Sequence, residues 1–225
     1  MVGYFPRLPA VQADPRGEVL EGMEKRSSRV FLLGACLAVI VAVPGCDMIR
    51  GYMEANERAK EWDGPVKEIT YEKLEKDGKV FDIEMHSRID APIDQVWAAL
   101  KQPERLAEVS DQYKKSLLLA ENGNSKDLEI HVLALGNMQQ FKMRLTFDDA
   151  NKTVQLETLA STLADIKGTY QLESSPDGSK TMYIYKATQT DKVVLPISTD
   201  VQRSALKESF VNQVNALKSQ VGAAG

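Results

Sequence analysis

Cysteine is nearly missing from this 225-residue chain: the two present are Cys36 and Cys46. With none after Cys46, no disulfide can staple the rest of the chain, and a domain there must rest on its apolar core. Histidine is equally scarce, with His86 and His131 alone. No metal-ligand spacing, no Gly-Xaa-Ser-Xaa-Gly and no phosphate-cradling glycine loop occurs. A basic excess is lacking too, since 28 Lys and Arg stand against 32 Asp and Glu. Nucleic-acid partners are therefore not expected, because no surplus cation exists to neutralise phosphates. Long apolar runs are reduced to one, Val30 to Val43. That places the chain far from a multi-span helical membrane protein.

The single run has its own logic. Lys25, Arg26 and Arg29 precede it, and Val43-Pro44-Gly45-Cys46 closes it. Fourteen apolar residues as a helix reach about 21 Å, short of the ~30 Å hydrocarbon core, so a signal peptide is expected over a span. The closing tetrapeptide resembles a bacterial lipobox, with Pro44 where Ala or Ser is usual. It implies lipidation of Cys46 and a membrane-anchored product facing the periplasm. An uncleaved anchor and simple secretion are the alternatives. Asp47 resembles the inner-membrane retention signal of enteric lipoproteins. Met1 and Met23, just before the basic cluster, are both candidate starts. The expected organisation is an extension and signal peptide over 1–45, a lipid-anchored tether over 46–65, and one domain over 66–225. Beyond Cys46 the charged residues are 23 Lys and Arg against 28 Asp and Glu.

Along the domain, Val66–Leu74 with Lys76-Asp77-Gly78-Lys79 predicts a strand and hairpin turn, with a short helix as the alternative. Phe81, Ile83, Met85, Ser87 and Ile89 alternate with polar residues and predict a half-buried strand. Asp90 as a cap and Pro92 in the first turn begin a helix carrying Ile93, Val96, Trp97 and Leu100, and a second short helix covers Glu104–Val109. Strands follow at Lys114–Ala120, Leu128–Leu135, Met138–Phe147, Thr153–Leu159, Ile166–Glu173 and Thr181–Thr190. A last helix opens at Ser198 or Thr199 with Val201, Ala205, Leu206, Phe210, Val214, Leu217 and Val221 on one face and Gly222 as its terminator. Tight turns make neighbouring strands antiparallel. The expected class is α+β: a curved antiparallel sheet of about seven strands wrapped around a long C-terminal helix, with two short helices after the first core strand.

Three stretches carry a family resemblance. Ile89-Asp90-Ala91-Pro92-Ile93-Asp94-Gln95-Val96-Trp97 is similar to the entry into the first helix of the START-like superfamily, which includes polyketide cyclases and coenzyme-Q-binding proteins. Gly168-Thr169-Tyr170-Gln171-Leu172 with Gly178-Ser179-Lys180-Thr181-Met182-Tyr183-Ile184-Tyr185 resembles its late hairpin, and Val194-Leu195-Pro196 fits before the last helix. The stretch Lys101-Gln102-Pro103-Glu104-Arg105-Leu106 departs from the pattern, since many relatives place an Asp and an aromatic residue there. The resemblance spans about Phe81 to Val221 and implies the helix-grip fold.

Catalytic chemistry is thin by contrast. His86 and His131 sit at polar phases of strands and are expected to face solvent. Asp148-Asp149 reads as a turn rather than a carboxylate dyad, and Asp165 as a strand-edge charge. The remaining candidates are apolar and soft. Met85, Met138, Met143 and Met182 lie in strands, and methionine suits both irregular cores and promiscuous apolar pockets. The inward positions Met85, Phe141, Met143 and Leu145, facing Phe210, Val214 and Leu217, are the candidate ligand-binding residues. The expected function is an exported, membrane-anchored protein holding a hydrophobic small molecule of lipid, isoprenoid or quinone type, without metal or cofactor. Two alternatives stay open. One is a cyclase or dehydratase using Tyr170, Tyr183, Tyr185 or His131 in the same cavity; the other is an envelope assembly lipoprotein with a filled core.

Overall fold

Alternation decides the first core strand. In β2 (Val80–Ile89), Phe81, Ile83, Met85 and Ile89 point to one side and are buried, as pleating requires of every second residue. The computed structural model describes residues 59–223 apart from Val66 and Leu135. The signal-like run, Cys46, Asp47 and the tether up to residue 58 lie outside the described residues.

β1 (Tyr71–Asp77) turns through Gly78 into β2, and Gly78 takes the positive φ of 56° that such a turn needs. The chain then enters α1 (Ile93–Leu100), a single 3₁₀ turn (Pro103–Arg105) and α2 (Leu106–Val109). Six strands follow: β3 (Tyr113–Asn122), β4 (Ser125–Ala134), β5 (Asn137–Asp148), β6 (Thr153–Ser161), β7 (Ala164–Ser174) and β8 (Thr181–Asp191). The last element is α3 (Thr199–Ala223). All pairings are antiparallel, in the order β1-β2-β8-β7-β6-β5-β4-β3. The sheet therefore has eight strands rather than about seven, because the β1 hairpin joins it. Its concave side, α1 and α3 enclose one apolar core.

The sequence expectations fail in four places. Asp90 does not cap α1; Pro92 occupies the N-cap position without a side-chain bond, and Asp90 instead pairs with Arg88 at 3.3 Å. Gly222 does not end α3, which runs to Ala223. Val201, expected on the buried stripe, is 45% exposed in the first turn of α3, ahead of the buried Phe210, Val214 and Leu217.

The fourth departure is on the outer face of β2. His86 is 3% exposed and Arg88 6%, not solvent-facing, because residues 59–65 cover them. Residues 59–63 are helical. Glu61 Oε2 meets His86 Nδ1 at 2.9 Å, and Arg88 Nη1 donates to the carbonyls of Trp62 at 2.6 Å and Gly64 at 3.0 Å. On its other side His86 Nε2 meets Glu84 Oε1 at 3.0 Å, and Lys186 pairs with the same carboxylate at 2.8 Å. Burial pushes the Glu84 carboxyl up, but the hydrogen bonds from Lys186 and His86 outweigh it and hold the group below its ordinary value. His131 does lie on the outer face, with Nε2 2.9 Å from Glu129. No helix among the described residues is long and apolar enough to cross a membrane.

Candidate functional site

Sheet curvature holds α3 off the concave face, and the space between them is a cavity of about 230 Å³. That lies just under the usual range of small-molecule sites, roughly 300–1,000 Å³. Phe81 and Met85 of β2 and Phe141, Met143 and Leu145 of β5 form facing walls, and Phe210 and Leu217 of α3 form the roof. Leu100, Pro103 and Leu106 close one side. That side is fixed by polar ties: Ser116 Oγ donates to the Pro103 carbonyl at 2.8 Å, and Lys126 Nζ to the Lys101 carbonyl at 2.9 Å.

Six of the seven positions singled out from the sequence, Met85, Phe141, Met143, Leu145, Phe210 and Leu217, border the cavity. Val214 is buried in the surrounding core instead, off the cavity wall. The strand phase placed the first four, since each occupies an inward position of an alternating strand. Lys142, between two of them, is exposed on the outer face.

Two groups of lining residues were not read as ligand contacts from the sequence. The first is an aromatic wall. Tyr170 on β7 stacks on Tyr183 of β8 at 5.3 Å between centroids, and Tyr183 stacks on Phe210 at 5.9 Å. Tyr185 lies 5.2 Å from Tyr170, its partner in the β7–β8 register. Burial pushes the hydroxyls of Tyr113, Tyr170, Tyr183 and Tyr185 upward. They stay protonated near neutrality, able to donate a hydrogen bond but not to act as phenolate bases.

The second group is polar. Gln202, Ser209, Gln213 and Gln220 recur at intervals of seven, four and seven, so they share one flank of α3, and all four line the cavity. The spacing was there to be read, but beside the apolar stripe it passes for the solvent side. Asp191, at the end of β8, is the one charged residue of the lining among the described residues. Its carboxylate accepts from Gln189 Nε2 at 2.9 Å and lies 3.7 Å from Lys76 Nζ. Lys76 also donates to Gln202 Oε1 and sits 4.5 Å above the Phe81 ring. No cluster of three or more His, Cys, Asp or Glu able to hold a metal occurs among the described residues.

The expected carboxylate roles are also settled by position. Asp148 accepts from Ala150 and Asn151 and shapes the β5–β6 turn. Asp149 accepts from the Trp97 indole at 2.6 Å and from Lys101 at 2.9 Å. Asp165 is held by Lys192 at 2.6 Å.

A curved antiparallel sheet gripping a C-terminal helix over an apolar cavity is also what comparison with known proteins returns. The family model described as polyketide cyclase / dehydrase and lipid transport matches residues 80–222. The chain belongs to this family. The START-like resemblance carried by Ile89–Trp97 and by the β7–β8 hairpin is borne out with it. Similar solved structures include the Zhui aromatase/cyclase from Streptomyces sp. R1128, at 20% identity and a TM-score of 0.54, covering 64% of this chain and 93% of that one. A START superfamily protein from Mycobacterium smegmatis is 13% identical with a TM-score of 0.54, over 66% of this chain and all of that one (100%). A STAR-related lipid transfer protein from Xanthomonas axonopodis is 16% identical with a TM-score of 0.50, over 67% and 98%. At such identities the likeness is one of fold, which family members put to different uses. No curated protein gives a significant match.

Proposed function

We propose that this family member binds a hydrophobic small molecule between the sheet and α3. The observation that carries the reading is the apolar cavity of about 230 Å³ that opens among core residues between the sheet and α3. A core of this size normally closes up, since voids forfeit dispersion contacts and cost stability. The family description, which includes lipid transport, favours the same reading. An occupant of lipid, isoprenoid or quinone type would bury its apolar body against Met85, Phe141, Met143 and Leu145. The reading extends to the address: an exported lipoprotein anchored through Cys46, facing the periplasm, with Asp47 favouring the inner membrane.

A cyclase or dehydratase role would require an acid or base in the same cavity. The tyrosines are held protonated, and Asp191 is tied to Gln189 and Lys76 at one end. The groups present orient a carbonyl better than they move its protons, and binding is the better-supported role. A filled core serving envelope assembly is disfavoured by the cavity itself.

The test is native mass spectrometry of full-length protein from its own host, with organic-solvent extraction of what it carries. Met143→Trp, which fills the cavity, is expected to lose the extracted ligand, while Lys142→Ala on the outer face retains it. Absence of any apolar ligand in the unmodified protein would end the reading. In the same spectra the mature N-terminus is expected to be an acylated Cys46, and a chain retaining Lys25 would remove the anchor from the proposal.

A further inference from the structure

The cavity is apolar but not featureless, and its polar groups are unusually one-sided. Among the described lining residues there is no lysine, arginine or histidine. Lys76, which borders the lining, is engaged by Asp191 and Gln202 and rests on Phe81. An ionised carboxylate or phosphate placed inside would lose its hydration with no cation to replace it, and would meet Asp191 as a like charge. The lining offers neutral hydrogen-bond groups instead: the amides of Gln213 and Gln220 on α3, and the tyrosine hydroxyls of β7 and β8 opposite.

Two of these groups are left over, the Tyr183 hydroxyl and the Gln220 amide. Gln220 is 2% exposed, and its Nε2 has no hydrogen-bond partner among the described residues. Burying an amide N–H without an acceptor is costly, and such groups in folded proteins nearly always have one. Gln220 lines the cavity, and turning its side-chain amide over would present Nε2 to an acceptor carried by an occupant. Gln213, one turn pair earlier on the same flank, is already hydrogen-bonded with Tyr170. Along this wall the protein supplies amide and hydroxyl donors with no formal charge.

Resting on the binding role proposed above, we infer that the occupant is an uncharged molecule carrying a ketone, ester or hydroxyl oxygen that accepts from Gln220, and that the cavity rejects free fatty-acid and other carboxylate anions. An acid could enter only after taking up a proton. For a carboxyl of ordinary acidity, near 4.3, that reduces apparent affinity at pH 7 by up to a few hundredfold.

The experiment compares matched probes on the full-length protein by calorimetry: dodecanol against dodecanoic acid, and naphthol against naphthoic acid, at pH 7 and pH 5. The neutral member of each pair is expected to bind at least tenfold tighter at pH 7, with the gap narrowing at pH 5 as the acid is neutralised. Equal or tighter binding of the acids at pH 7 overturns the inference and leaves the binding role standing. Failure of all four probes, together with no ligand extracted from host-purified protein, overturns both. Gln220→Leu locates the acceptor site: naphthol affinity should fall about fivefold while naphthalene affinity holds. Equal loss for both would reduce Gln220 to a shape-keeping residue and overturn its assigned contact. Gln220→Lys gives the converse, a shift of preference toward naphthoic acid.

Discussion

Thr181 donates its side-chain hydroxyl to the backbone carbonyl of Ala91 at 2.7 Å, across 90 residues of sequence. Both residues are buried, Thr181 completely. The bond joins the two stretches that resemble the START-like superfamily most, the Asp90-Ala91-Pro92 corner and the start of β8. It fixes where α1 leaves the sheet, and so where Ala99 and Leu100 stand on the cavity wall.

Thr181→Val keeps the shape but leaves the Ala91 carbonyl buried and unpaired. A loss of about 1–3 kcal/mol is expected. Thr181→Ser keeps the hydroxyl and should recover most of it. Urea denaturation measures both, and equal losses for the two variants would assign the effect to packing rather than to the bond.

Arg88 anchors residues 59–65 through two backbone carbonyls. Arg88→Met should cost about 3 kcal/mol locally, as for a buried charged donor removed from its acceptors. The expected sign is faster hydrogen exchange at residues 60–64 with the sheet amides unchanged. Uniform loss of protection across the sheet would show instead that this segment is integral to the fold.

The sheet and last helix were legible because alternation and helical spacing follow directly from which faces are buried. Met85, Phe141, Met143 and Leu145 were found that way. Errors arose where burial comes from elsewhere in the chain. His86 and Arg88 lie at polar phases, and nothing local in their sequence announces that Glu61, Trp62 and Gly64 will cover them. The glutamines of α3 failed for a related reason. An amide facing a cavity has the same residue type and spacing as one facing water, so only the curvature of the sheet distinguishes them. Cavity volume itself depends on small differences in backbone separation, which composition does not encode.

The hairpin between β7 and β8 provides a pH test. Ser175 Oγ donates to Asp177 Oδ1 at 2.6 Å, and the Ser179 amide and hydroxyl donate to the same carboxylate at 3.1 and 2.8 Å. These bonds, led by Ser175, pull the Asp177 carboxyl down to about 2. A depressed folded value stabilises the protein fully above the unfolded value, about 3.9, and that contribution disappears as pH falls toward 2. Asp177→Asn should therefore lower the thermal midpoint at pH 6, with the difference from the unmodified protein shrinking between pH 4 and pH 2. A difference that stays constant over that range would rule out the carboxylate as its source.

Gly168 sits in β7 between Ile166 and Tyr170, both on the cavity wall, and pairs with Ala187 of β8. Its lack of a side chain is a matter of space. A Cβ there would fall 2.2 Å from the Lys186 carbonyl oxygen and 2.6 Å from the Ala187 Cβ. Backbone cannot yield as the tip of a flexible chain can, so β7 and β8 would have to separate. Gly168→Ala is expected to destabilise by about 3 kcal/mol, the upper part of the range for overpacking. Adding Ala187→Gly removes the Cβ clash but leaves the Lys186 carbonyl and the position-187 Cα, 2.7 Å away, so it should restore only part of the loss. Separation at this point also displaces Tyr170 from Tyr185, its partner in the register, and loosens the aromatic wall. Ligand retention should therefore fall even at temperatures where Gly168→Ala is fully folded, as read by native mass spectrometry beside circular dichroism. A folded Gly168→Ala protein that keeps its ligand would show that the close approach of β7 and β8 serves the sheet alone.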